Sequence, residues 1–227
     1  DERSLAYVAD PDGHADIYLL SLPPAPLTPP RRLASSPAQE RSPRFSPDGR
    51  RIAYISTLDD AFGDLWVVEI SSGKARRLTD RETRDADPVW TPDGRALIFS
   101  AARGEAPPAL ERLELKSGLR ETLAAQPARE PDLSPDGRLV VFCEPDEDGL
   151  SRALGLLDLR TGETKTLLRT ASPVASPRWD REGRGVIAVH YSDDTNRDDR
   201  LDTKDRRALW YHAVDAESAL ISSRPLT

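Results

Sequence analysis

Thirteen residues near the C-terminus hold the densest chemistry in this sequence: Asp193-Asp-Thr-Asn-Arg-Asp-Asp-Arg-Leu-Asp-Thr-Lys-Asp205. With Asp194 as position 1, Asn196, Asp198, Arg200, Asp202 and Asp205 fall at positions 3, 5, 7, 9 and 12. That is the spacing of a twelve-residue calcium loop, in which position 7 donates a backbone carbonyl. Ca²⁺ takes about six to eight hard oxygens, and alternate residues of a tight loop can turn their oxygens inward. So many carboxylates in one place repel one another without a cation. The spacing therefore predicts Ca²⁺ as cofactor, with a solvated acidic loop as the alternative. Two departures weaken the match. Position 6 is Asp199 where a sharp turn favours Gly, and Asp205 is shorter than the Glu usual at position 12.

Other catalytic patterns are missing. There is no Gly-x-Ser-x-Gly elbow, no phosphate loop and no zinc spacing. Of the three histidines, His190 and His212 fall on adjacent strand patterns, where packing is a commoner role than ligation. Cys143, the single cysteine, sits in the apolar run Leu139-Val-Val-Phe-Cys143 and reads as a buried thiol. A net charge of −7 disfavours wholesale binding to nucleic acid or to an anionic membrane. No apolar run approaches the roughly 20 residues of a membrane-spanning helix. No enzyme of these classes is therefore expected.

The elements that must carry these residues repeat. Ser42-Pro-Arg-Phe-Ser-Pro-Asp-Gly-Arg50 recurs as Asp87-Pro-Val-Trp-Thr-Pro-Asp-Gly-Arg95 and Glu130-Pro-Asp-Leu-Ser-Pro-Asp-Gly-Arg138, and in degraded form as Ser176-Pro-Arg-Trp-Asp-Arg-Glu-Gly-Arg184. Pro presets the first turn position, Asp hydrogen-bonds the local backbone and Gly accepts positive φ. Each turn is followed by an apolar strand such as Ile52–Ser56 or Leu97–Ala101, then by a third strand such as Asp64–Ile70. A short fourth strand ends near Leu33, Leu78, Leu123, Leu167 and Leu226. Four antiparallel strands every 45 residues or so specify an all-β propeller of about five four-stranded blades. The blades run approximately 1–36, 37–80, 81–125, 126–170 and 171–227. The first lacks its first strand, leaving nineteen strands. The chain is either a five-bladed propeller with an incomplete blade or, the favoured reading, a fragment of a larger one. The last blade is the longest, and its extra residues are the acidic loop.

These motifs, with Asp64-Leu-Trp-Val-Val68, Ser72-Gly-Lys74 and Arg76-Arg-Leu-Thr79, resemble the WD40-like propeller repeat of the TolB type across nearly the whole chain. The resemblance implies a periplasmic or cell-surface setting in a bacterium and protein binding as the usual role. The acidic loop resembles an EF-hand loop without its helices, as in extracellular calcium-binding repeats. The loops between second and third strands are acidic too: Asp10, Asp12 and Asp16; Asp59, Asp60 and Asp64; Glu144, Asp146, Glu147 and Asp148. In a propeller they share one face, which predicts a negative surface suited to a basic protein partner. Two alternatives remain. One is the gating propeller of a prolyl-oligopeptidase-like peptidase whose catalytic domain lies outside this chain. The other is a five-bladed glycosidase, which needs paired carboxylates in a central funnel.

Overall fold

A computed structural model describes residues 3–22, 29–34, 36–59, 61–80, 83–124, 126–193, 206–215 and 219–226. Among them are nineteen strands in five antiparallel sheets, and no helix. The first sheet has three strands, β1 (Ser4–Ala9), β2 (Asp16–Ser21) and β3 (Arg31–Ala34). The second holds β4 (Glu40–Phe45), β5 (Arg51–Ser56), β6 (Asp64–Glu69) and β7 (Ala75–Arg77). The third holds β8 (Arg84–Trp90), β9 (Ala96–Ala102), β10 (Ala109–Glu114) and β11 (Arg120–Ala124). The fourth holds β12 (Arg129–Leu133), β13 (Leu139–Pro145), β14 (Ser151–Asp158) and β15 (Thr164–Arg169). The fifth holds β16 (Val174–Trp179), β17 (Gly185–Asp193), β18 (Arg206–Val214) and β19 (Leu220–Leu226). Every sheet follows chain order, as expected of a propeller blade.

The chain divides into two compact units, one of residues 1–106 and 111–121, the other of 107–110 and 122–227. The first has two apolar clusters. Ile55, Leu65, Val67, Leu97, Phe99 and Leu113 build one, and Ile17, Leu33, Ile52, Tyr54 and Val68 the other. The second unit packs Val141, Leu154, Leu156, Val174, Val186 and Val214 around Cys143, which is buried as expected. The second strands contribute the largest share of these buried apolar residues because both of their faces are covered. β9 is buried along its whole length.

The Pro-Asp-Gly motif closes the second, third and fourth sheets at one end by a repeated set of bonds. Asp93 Oδ1 accepts from the Thr91 hydroxyl at 2.6 Å and from the Arg95 amide at 3.0 Å, and Thr91 Oγ1 accepts from the Ala96 amide at 3.0 Å. Ser46 with Asp48, and Ser134 with Asp136, repeat it. Hydroxyl donation first, then the amide, holds all three aspartates below the usual carboxylate range. The degraded fourth copy keeps its turn by another route. Asp180 stands where the others have Ser or Thr, and its own carboxylate accepts from the Arg184 amide at 2.8 Å.

Successive sheets are stitched by one recurring backbone bond. The amides of Glu40, Asp85 and Ala128 donate to the carbonyls of Ala15, Gly63 and Pro108, the residues just before β2, β6 and β10. The distances are 2.7, 3.2 and 2.8 Å.

Candidate functional site

The predicted calcium ligands Asp194, Asn196, Asp198, Arg200, Asp202 and Asp205 lie outside the described residues. Their flanking strands are described: β17 and β18 pair antiparallel up to Asp193 opposite Arg206. In the chain the acidic segment therefore connects the second and third strands of the fifth sheet, the same connection that carries the other acidic stretches. Among the described residues, no group of three or more His, Cys, Asp or Glu side chains is placed to hold a metal.

In the first unit this end of the sheets rests on buried carboxylates. Asp16 and Asp64 start β2 and β6 and are fully buried. They are therefore not part of the solvated acidic loops with which their sequence neighbours group them. A buried carboxylate costs several kcal/mol unless it is neutralised. Arg32 pairs with Asp16, and Arg77 with Asp64 at 2.9 Å. Each opposes a second buried acid from the next sheet. Glu40 accepts from Ser36 and Ser56 at 2.6 and 3.0 Å. Asp85 accepts from Thr83 at 2.7 Å and pairs with Arg120 at 3.2 Å. Arg120 also pairs with Glu111, which binds Arg103 at 2.8 Å. Burial pushes Glu40 and Asp85 above their ordinary values, against the pull of the hydroxyls, and the neighbouring Asp16 and Asp64 push the same way. In the second unit the equivalent positions are Ala109 with Ala128, and Ala153 with Val174.

Several of the solvent-facing acids are neutralised as well. Asp12 reaches Arg32 at 3.3 Å, Asp59 reaches Arg77 at 3.6 Å, and Arg152 pairs with Asp146 and Asp148 at 2.9 and 2.8 Å. The arginines of the third and fourth strands thus lower the negative potential read from the loop acids alone. Exposed pairs of this kind add little stability.

Between them stands an apolar feature that charge counting passes over. In the hairpin between β5 and β6, Phe62 is 58% exposed and Leu58 42% exposed. Arg84 lies over the Phe62 ring at 5.6 Å and also donates to the Gly104 carbonyl at 2.7 Å. Arg41 donates to the Phe62 carbonyl at 2.9 Å. Gly63 follows at φ +97°, where a Cβ would sit 2.7 Å from both Arg41 and Ile55. The phenylalanine is therefore held outward on a fixed backbone between two cations. The sequence signal was a lone aromatic in a polar loop, Leu58-Asp-Asp-Ala-Phe62-Gly63.

A second feature recurs in four sheets. Ser42, Asp87, Glu130 and Ser176 have φ of 54, 52, 52 and 51°, each just before a proline and at a register shift in the first strand. Such a bulge turns a polar side chain out of the ladder. Within the first unit Ser42 donates to Asp87 at 3.3 Å, and within the second Glu130 accepts from the Ser176 amide. The fifth sheet brings the two strand histidines together. Their Nε2 atoms are 3.0 Å apart, His212 Nδ1 lies 2.8 Å from Ser223 Oγ, and Trp210 packs on His190 at 5.2 Å. Both are buried. Burial, then the neighbouring His190, lowers His212 to about 4, and burial lowers His190.

Comparison with known proteins gives one family. A model described as the TolB beta propeller domain matches residues 1–208. No curated protein matches the chain. Among solved structures, TolB from Acinetobacter baumannii superposes with a TM-score of 0.74 at 20% identity over 99% of this chain and 52% of that one. The chain thus spans about half the length of that relative. An oligogalacturonate lyase from Vibrio parahaemolyticus gives 0.68 at 16% identity, over 99% of this chain and 62% of that one. A puromycin hydrolase gives 0.64 at 17% identity, over 94% and 34%. These likenesses establish the fold, and the fold hosts binding proteins and enzymes alike.

Proposed function

The chain belongs to the TolB beta propeller domain family, and from that premise we propose that it is a non-enzymatic, protein-binding scaffold whose partner docks on the second-to-third hairpin end of its sheets. The observation that carries this reading is Phe62, presented to solvent between Arg41 and Arg84 beside Leu58. An aromatic anchor with arginine neighbours is the composition of binding hot spots. Support against acid–base catalysis comes from the buried acids: Arg, Ser or Thr engages Asp16, Glu40, Asp64, Asp85 and Glu111, as in a structural network. The partner is a protein with an apolar pocket for the Phe62 ring, met in the periplasm or at the cell surface. No described helix is long and apolar enough to cross a membrane.

The test is a photo-crosslinking amino acid at position 62, compared with one at Leu119, which is 62% exposed at the opposite end of its sheet. In cell-envelope extract, position 62 should give a discrete adduct and position 119 none. Equal labelling at both sites would reject the docking end. The proposal includes Ca²⁺ on the Asp194–Asp205 segment, held by Asp194, Asn196, Asp198, Asp202, Asp205 and the Arg200 carbonyl, as hard oxygen donors suit that ion. Ca²⁺ added to chelator-treated protein should raise Tm and release or absorb heat. Unchanged calorimetry and Tm would remove calcium from the account.

A further inference from the structure

The opposite end of the first unit carries a groove of about 970 Å³ whose lining includes Arg51, Arg76, Arg95 and Lys116 with a single acid, Glu114. Glu114 is already paired with Arg112 at 2.5 Å. A cluster of four cations is notable in a chain of net charge −7. Its walls are fixed. Arg51 stacks on Trp90 at 4.7 Å and donates to the Gly94 carbonyl at 3.0 Å. The Leu115 amide donates to the Arg95 carbonyl at 2.9 Å, and the Gly118 amide to the Glu114 carbonyl at 2.9 Å. The backbone that presents Arg95 and Lys116 is therefore set before any ligand arrives.

The repeat provides internal controls. One sheet earlier, Arg31 stands where Arg76 stands here, and its guanidinium donates to the Ile70 carbonyl, the counterpart of Leu115. One sheet later, Arg138 is the counterpart of Arg95, and Asp158, the counterpart of Glu114, takes it by two bonds of 2.9 and 2.8 Å. At this groove neither device operates. Glu114 is turned to Arg112 instead of Arg95, and Arg76 lines the space. Close cations cost free energy unless an anion sits among them, and guanidiniums match planar or tetrahedral oxyanions by paired donation.

We propose that this groove is a binding site for a small ligand with clustered oxyanions, either a phosphate ester or a polycarboxylate. It is independent of the docking end described above. The experiment is ¹⁵N NMR titration of the whole chain with pyrophosphate and, separately, citrate at low salt. Saturable shifts are expected at the amides of Arg51, Gly94, Arg95 and Lys116. The double variant Arg76→Ala/Lys116→Ala should bind at least about fivefold more weakly, and raising the salt should weaken binding in both proteins. Arg160→Ala, a cation of the second unit, should bind as the unaltered protein does. A tighter fit for pyrophosphate marks a phosphate-ester source, and a tighter fit for citrate a polycarboxylate. Shifts that fail to saturate, that spread evenly over the arginine surface, or that Arg160→Ala weakens as much as the double variant would overturn the proposal.

Discussion

Acidification should loosen the fifth sheet before any other. His212 titrates at about 4 in the fold and near 6.5 when unfolded. The unfolded chain therefore binds the proton first, and the fold loses stability as pH falls below 6.5, levelling off below 4. Linkage between those two values gives a loss of about 2 kcal/mol at pH 5 and about 3 kcal/mol at pH 4. His190 shifts the same way and adds to the loss. The groups described facing the pair are Trp210 and Ser223, neither of which can neutralise an imidazolium. Glu40 and Asp85 act in the opposite sense. Their raised values favour the protonated, folded form, so at these two sites acid relieves the first unit, while Asp48 and Asp93, held low, act the other way only below the ordinary carboxylate range. Urea unfolding from pH 7.5 to 4.5, with hydrogen exchange resolved by sheet, would separate the two. β17 to β19 should lose protection first. His212→Gln should lower stability at pH 7.5 by about 1 kcal/mol through its changed hydrogen bonds, yet flatten the slope below 6.5. If unaltered protein and His212→Gln show the same slope between pH 6.5 and 4.5, the pair is not the source of acid sensitivity.

Three further outcomes follow from the geometry. Arg77→Ala removes the guanidinium 2.9 Å from the buried Asp64 carboxylate and should cost up to about 3–5 kcal/mol in urea melts, with much of the loss recovered by Asp64→Ala in the same chain. Ser176→Gly should stabilise by up to about 1 kcal/mol, because its φ of 51° is free for glycine and the amide bonded to Glu130 remains; a loss of stability would mean the bulge is not strained. Thr91→Val removes the hydroxyl that binds Asp93 and the Ala96 amide, and should cost about 1–3 kcal/mol while raising the Asp93 pKa, readable by carboxyl NMR.

The strand order and the turns were legible because proline, aspartate and glycine at fixed offsets act locally, through bonds within five residues of one another. The burial of Asp16 and Asp64 was not. In sequence they continue the acidic stretches Asp10–Asp16 and Asp59–Asp64, and only the fold brings Arg32 and Arg77 across from the fourth strand. Phe62 was hidden for the complementary reason: an isolated aromatic carries no periodicity, and its exposure is set by Gly63 and Arg41 packing behind it. The groove cations were visible only as part of an arginine-rich composition, since their surplus depends on which acid turns to which arginine. The pairing of His190 with His212 did follow from strand adjacency, although their shared burial required the sheet.

The paired acids at the start of β2 and β6 also bear on how such a chain can be recombined. Asp16 is matched to Glu40 and Asp64 to Asp85, whereas the second unit matches Ala109 to Ala128 and Ala153 to Val174. The exchangeable cassette is therefore not a whole sheet. It runs from the middle of one sheet to the middle of the next, so that both members of a match travel together. A graft cut at the turn between sheets would seat a carboxylate, its arginine still beside it, against an alanine or valine in place of the matched acid. A cut between the second and third strands would carry Asp16, Arg32, Glu40 and the hydroxyls of Ser36 and Ser56 across intact, whereas the same cut one sheet on would part Asp85 from Arg120.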